Sequence, residues 1–306
     1  MSQYLITRGS TPRLLLEGLA DIFGYSYEEH EPEWTHLFEQ HESRKAYEQT
    51  LLVDGFGAAN EKPEAQGMFF DTRSQGYGPQ YINKTYAIGY IISQEALDDD
   101  LYDVLEEGSK CLGRSLRETK EIVGANIYNR AFNSSFTMPN GDGQPLCSAS
   151  HVLGPNDNDT DSNILSTAAA LSQTSLEAII TQIGGAVDPR GLKTKIEPLK
   201  LVVPVALQWQ AARLTKSVLE PGTGNNAINP LQGIFEEGVL VSHYLTSPTA
   251  WFARTDISQG LKMYNRQSPK FGEDNEFSSL TYRYMAYERY VAGWDRYQGL
   301  YGSNAA

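Results

Sequence analysis

Two stretches decide how this chain folds: GFGAANEKPEAQGMFFDTRSQGYGPQYINKTYAIGY, residues 55–90, and SQEALDDDLYDVLEEGSKCLGRSLRETKEIVGANIYNRAF, residues 93–132. The first reads as a long two-stranded projection made mostly of polar, glycine and aromatic residues. The second reads as one long helix, because Leu97, Leu101, Leu105, Leu112, Leu116, Val123 and Ile127 recur at steps of three, four or seven and draw a single apolar stripe. Asp98, Asp99 and Asp100 crowd its start and Arg114, Arg117, Lys120 and Arg130 its second half, which suits the helix dipole. Roughly 40 residues at 1.5 Å each reach about 60 Å, more than the core of such a domain requires. Gly108, Gly113 and Gly124 are expected to bend or shorten it. A two-stranded arm is marginal by itself. Together the pair implies a subunit that completes itself against neighbours.

Before the projection, Thr11-Pro12 reads as a helix start, and the following short helical pieces, interrupted by Gly and Pro, read as an extended arm up to about residue 45. After the long helix, residues 136–152 contain N-G-D-G and suggest a hairpin feeding a strand, and residues 156–163 (NDNDTDSN) a surface loop. Ser175 to Val187 is amphipathic and is closed by the turn Asp188-Pro189-Arg190-Gly191. A buried strand at 199–204 and a helix from Val205 to about Leu219 then alternate as in a compact α/β unit. Residues 220–230 read as a loop, and 238–244, 250–254 and 261–264 as strands. Tyr282, Tyr284, Tyr290 and Trp294 mark a last strand over 280–294.

With 306 residues, the chain can bury one large core or two smaller ones. A formal net charge of −13 argues against a nucleic-acid reader, which needs a basic face to displace counterions from phosphates. Two cysteines, Cys111 and Cys147, give no disulfide framework and point to a reducing compartment. No apolar window approaches the length that spans a bilayer, so a soluble protein made in the cytoplasm is expected.

Candidate chemistry is sparse. His30, His36 and His41 lie among glutamates, but their spacing fits no metal-binding signature, and a solvated charged face is the simpler reading. Asp157, Asp159 and Asp161 begin like a calcium loop. However, Ser162 stands where the turn glycine belongs and Ala168 where the bidentate glutamate belongs. Gly222-Thr223-Gly224 lacks the lysine, the third glycine and the preceding strand of a phosphate loop. His151 and His243 have no evident nucleophile partner, and the acids at 98–100 and at Glu106-Glu107 read as a helix start and a solvated face. No catalytic, cofactor-binding or metal-binding residue is assigned.

An N-terminal arm, a projection carrying EKPEAQGMFF, the segment IGYIISQEALDDD, one long helix, and a mixed domain containing LKLVVPVALQWQAARLTKS follow one another along essentially the whole chain. This order resembles the HK97-fold major capsid proteins of tailed phages, and within them the Mu-type major head subunits. DGQPLCSASHV and AYERYVAGWDRYQGLYGS fit the same pattern. The resemblance implies an α+β, HK97-like capsid fold. Residues 1–49 would be the N-terminal arm and entry to the P-domain, 50–92 the extended E-loop, and 93–164 the P-domain with its spine helix. Residues 165–270 would be the mixed α/β axial A-domain, and 271–306 C-terminal strands returning to the P-domain. It further implies a major head protein that self-assembles as hexamers and pentamers into an icosahedral virion shell around packaged double-stranded DNA, built in the host cytoplasm. DNA would be touched only weakly and non-specifically, and no membrane would be involved.

Portal and decoration proteins are the expected partners. A separate scaffolding protein is also expected, since the short stretch before the projection already reads as the arm. Neither Lys62 nor Lys84 sits in a recognisable cross-linking motif. Two alternatives stay open: an encapsulin-like nanocompartment shell of the same fold, and a soluble α/β enzyme with a site near His151 or the Gly222 loop, which leaves the projection unexplained.

Overall fold

The computed structural model describes residues 12–73, 75–98, 104–153, 160–220, 227–276 and 279–305. Its largest sheet is built on two long antiparallel strands, β10 (Leu261–Glu276) and β11 (Thr281–Trp294). Strand β1 (Glu39–Glu42) lies parallel along β10, and β4 (Lys84–Ser93) antiparallel along β11, giving the order β1-β10-β11-β4. Alternation sorts β11 as the pleat requires: Tyr284, Ala286, Glu288 and Tyr290 are buried, whereas Arg283 and Met285 face outward.

Two helices cover the buried face. Helix α1 (Pro12–Tyr27) starts at the proline expected to open it, but runs unbroken for 16 residues where the sequence suggested interrupted pieces. It packs lengthwise on α4 (Val104–Asn129). The short α2 (Trp34–Leu37) also rests on α4. The long helix is thus shorter than expected: β4 extends through Ser93, α3 covers Gln94–Asp98, and Asp99, Asp100 and Leu101 lie outside the described residues. Leu112, Leu116 and Ile127 are buried as the stripe demands. The glycines do not break α4. A Cβ at Gly108 would fall 2.8 Å from the Tyr90 ring, and one at Gly113 2.8 Å from the Phe23 carbonyl oxygen, so each is a point of close approach.

The second sheet has the order β12-β9-β7-β8, from β7 (Pro198–Pro204), β8 (Val239–Ser242), β9 (Ala250–Thr255) and β12 (Leu300–Asn304). Helices α5 (Gln173–Gly184) and α6 (Gln208–Lys216) lie against it. The capping box at Ser172 and Ser175 fixes the start of α5. β7 reads as a near-continuous apolar run because it is buried on both faces. Leu201 and Val203 join Leu176, Ile179 and Trp251 in one core, while Val202 joins Phe252, Tyr128 and Trp294 in the other. This central strand therefore welds the two halves together.

Four further expectations change. Residues 136–150 form turns rather than a hairpin, with Asn140 and Gly143 at positive φ and Leu146 and Cys147 buried beneath them. Among the described residues of this region, only β5 (His151–Val152) and β6 (Thr160–Asp161) pair. Asn163, expected on a surface loop, is fully buried. β10 continues 12 residues beyond the expected Tyr264, and β12 pairs with β9, so the span 271–306 does not enter a single sheet.

Candidate assembly surfaces

The projection stands on a small pair of strands, β2 (Tyr47–Gln49) and β3 (Gln80–Ile82). From there its two limbs are joined by Thr50 N–H to the Pro79 carbonyl, Leu52 N–H to Tyr77, Gly76 N–H to Leu52, and a bridge between Val53 and Gln75. The expected two-stranded ladder goes no further. Among the described residues between 55 and 72, the one backbone–backbone hydrogen bond runs from Gln66 to Pro63. The second limb as first drawn, through Tyr90, also contains β4, which belongs to the large sheet.

The base is held firmly. Gly78 and Gln80 donate to the carbonyls of Asn140 and Pro139, and the buried Tyr81 hydroxyl donates to Asp295 Oδ1 at 2.7 Å. Asp295 Oδ2 in turn meets Lys262 Nζ at 2.6 Å. Further out, the Asp71 carboxylate accepts the N–H groups of Gly57 (2.9 Å) and Thr72 (2.8 Å), which hold it below the usual carboxylate range. Arg190, in the turn after α5, lies 3.7 Å from Asp71 and donates to the Thr72 carbonyl. One carboxylate thus ties both limbs to the second half of the subunit. Neither Asp71 nor Arg190 stands out in the sequence; the D-P-R-G turn was legible, its partner was not.

Behind the polar turn at residues 63–66, the limbs of the arm carry open apolar side chains. Phe56, Met68, Phe69 and Phe70 are exposed, Phe70 at 82%. So much apolar surface on one narrow element marks an interaction site. A second apolar area lies on the outer face of the large sheet, where Ile91 and Met285 are exposed beside a shallow depression of about 360 Å³ edged by Gly89, Asp274 and Arg283. On the second half, Trp209 and Ile228 are each exposed.

The residues considered for chemistry do not converge. His36 contacts Glu31 at 3.3 Å, the His41 ring lies tilted against that of Tyr264, and His243 Nδ1 lies 2.6 Å from Glu33. His151 is fully buried, with Nδ1 2.5 Å from Asp142 Oδ2 and its ring stacked 4.0 Å from that of Tyr297. That pair is sealed inside the fold. Asp161 accepts the Tyr297 hydroxyl at 3.0 Å, whereas Asp157, Asp159 and the 222–224 segment lie outside the described residues. Among the described residues, no three His, Cys, Asp or Glu side chains gather as a metal site, and no helix is long and apolar enough to cross a membrane. Lys62, on the arm, and Lys84, at the start of β4, are both exposed.

Residues 80–303 match the model of a family described as phage capsid protein. No curated protein sequence matches the chain. Among solved structures, the chain is similar to the capsid of the cyanophage P-SCSP1u (11% identity, 88% of this chain and 86% of that one, TM-score 0.58). It is also similar to a chain from Mycobacterium phage Patience (12%, 99% and 89%, TM-score 0.57). A third likeness is to a virus-like particle from Pyrococcus furiosus (10%, 94% and 98%, TM-score 0.55). At these identities the likeness is one of fold, and the fold is that of HK97-type capsid subunits.

Proposed function

The chain belongs to the phage capsid protein family as a major subunit of the virion shell, and on that premise we propose how its shell is held together. The arm at residues 50–79 acts as the E-loop and lies across a neighbouring subunit, burying in the lattice the apolar side chains that its own subunit leaves open. The spine α4 with the β10–β11 hairpin acts as the P-domain, and the unit around β7, α5 and α6 as the axial A-domain. The protein is most like the Mu-type head subunits and has no enzymatic role. It is built in the host cytoplasm into hexamers and pentamers around double-stranded DNA. A scaffolding protein, a portal and decoration proteins are its other partners. The net charge of −13 suits a container that holds DNA without gripping it. The match over residues 80–303 to phage capsids favours this reading over a cellular compartment.

One observation carries the proposal: Met68, Phe69 and Phe70 are exposed on the returning limb of an arm whose base is rigidly held. The test replaces residues 56–72 by a tight Asn-Gly turn. Thermal unfolding should match wild type, while electron microscopy shows no closed shells. Normal shells from the shortened chain would overturn it.

A further inference from the structure

Beyond the Val53–Gln75 bridge the two limbs of the arm are joined by side chains. Asp71 accepts the Gly57 N–H, and Arg73 Nε donates to the Asp54 carbonyl at 3.2 Å with its guanidinium 5.8 Å from the centre of the Phe56 ring. These contacts tie limb to limb and leave the angle of the arm to its own subunit free. That angle is set from the turn after α5. Arg190 donates to the Thr72 carbonyl and lies 3.7 Å from Asp71, and a Cβ at Gly55 would stand 3.8 Å from Asp188 Oδ2.

The turn is built as an anchor. Asp188 Oδ1 accepts the N–H groups of Arg190 (2.9 Å) and Leu192 (2.8 Å), Gly191 takes a left-handed φ of +76°, and Val187 and Lys193 close a bridge behind it. From the crossover between the sheets, the nearly buried Gln298 donates to the Val187 carbonyl at 2.8 Å. Arg190 is thus presented at a fixed place. Among the described residues its Nε is buried without a hydrogen-bond partner, which a surface arginine free to turn to water would avoid. Contact with the arm keeps it there.

We propose that Arg190 is a strap that holds the arm of the unassembled subunit at one angle to its own second half, so that the arm reaches a neighbour already ordered. The strap leaves Met68, Phe69 and Phe70 exposed, so it aims the arm without hiding its apolar side chains. An arm fixed beforehand loses less freedom on capture, which speeds assembly at a given subunit concentration. Arg190 is a positioning residue here, and the proposal rests on the reading of the arm as an inter-subunit element. The Asp71 and Arg190 side chains are 26% and 29% exposed, open enough for dissolved salt to weaken the ion pair.

Hydrogen exchange on subunits dissociated from shells reads the strap through the Gly57 and Thr72 amides, both held by Asp71. In Arg190→Gln they should exchange at least about fivefold faster than in wild type. Raising sodium chloride from about 0.1 M to about 1 M should speed the same amides in wild type and leave Arg190→Gln unchanged. Reassembly followed by light scattering should be at least about threefold slower in Arg190→Gln, with closed shells at the end. Unchanged exchange in Arg190→Gln would overturn the strap. If that variant does not fold, the salt response of wild type decides alone, and amides indifferent to salt overturn it. Should Arg190→Gln assemble at the wild-type rate while the 56–72 excision yields no shells, only this inference falls; normal shells from the excision would remove the reading of the arm as well.

Discussion

Gly113 and Phe23 set how closely α1 approaches the spine: a Cβ at Gly113 would stand 2.8 Å from the Phe23 carbonyl oxygen and 3.2 Å from the Tyr27 amide nitrogen. Both obstacles are backbone, so the only relief is to move the helix. Gly113→Ala should therefore destabilise by about 1–3 kcal/mol through overpacking, outweighing the roughly 1 kcal/mol that alanine contributes to helix propensity. Gly18, in α1, has nothing within 4 Å of its virtual Cβ. Gly18→Ala should stabilise by up to about 1 kcal/mol. Thermal unfolding of the two variants should move in opposite directions; a stabilised Gly113→Ala would contradict the close approach.

A second test concerns the ion pair under the spine. Lys120 Nζ lies 3.2 Å from Glu288 Oε2, which also accepts the Tyr27 hydroxyl at 3.1 Å, and Lys120 stands 4.5 Å from the Trp34 ring. Burial pushes the Lys120 pKa down and that of Glu288 up, against their mutual attraction. Removing one partner strands the other charge, so Glu288→Ala or Lys120→Ala should cost about 3–5 kcal/mol, while the double change Lys120→Met/Glu288→Leu should be close to neutral. Chemical denaturation of the three variants checks this. A double variant that loses as much as either single one would show that the pair itself stabilises the fold.

Much of this architecture was legible where one physical signal dominated. Leu112 and Leu116 face the core because their spacing matches a helix turn, and the run 199–204 is a buried strand because it is apolar throughout. The extension of β10 was not legible: QSPKFGEDNE is polar and contains Pro269. It pairs only because β11 runs beside it, and Pro269 falls at a register shift between Gln267 and Lys270 where no ladder bond is demanded. β12 was hidden by its glycine, yet a Cβ at Gly302 would stand 2.6 Å from the Phe252 ring, so only glycine fits that strand. The arm was overread as a full hairpin. Beyond the Val53–Gln75 bridge its glycine-rich, polar limbs are joined by a side chain, Asp71 to the Gly57 N–H, rather than by a ladder.

Glu121 makes stability depend on pH. Its carboxylate accepts the N–H groups of Glu33 (2.9 Å) and Trp34 (3.0 Å) at the start of α2, but burial pushes its pKa from 4.5 up to about 7. Below 4.5 the group is protonated both folded and unfolded. Between 4.5 and 7 the unfolded chain releases a proton that the fold retains, so stability falls as pH rises, and this contribution is gone above 7. The loss is at most about 3 kcal/mol. Thermal unfolding at pH 5 and pH 8 should show a wild-type decline that is smaller in Glu121→Gln. Parallel declines in both proteins would assign the effect to other groups.

The last prediction concerns Asn163, where three distant segments meet. Its side-chain amide donates toward the carbonyls of Leu146 (2.6 Å), Leu300 (2.8 Å) and Tyr297 (3.2 Å), and its Oδ1 accepts the Ser148 N–H at 2.8 Å. Its own carbonyl accepts the Gly302 N–H, so one residue ties the turn after the spine to the crossover between sheets and to β12. The site needs a donor and an acceptor at once, in a position without water access. Asn163→Ala leaves a buried N–H and buried carbonyls without partners and should cost about 3–4 kcal/mol. Asn163→Asp keeps the acceptor but aims a carboxylate at three carbonyl oxygens, and should cost more than alanine. Urea unfolding of both variants decides the matter. An aspartate variant within about 1 kcal/mol of wild type would mean that, of the side-chain bonds, only the one to Ser148 counts.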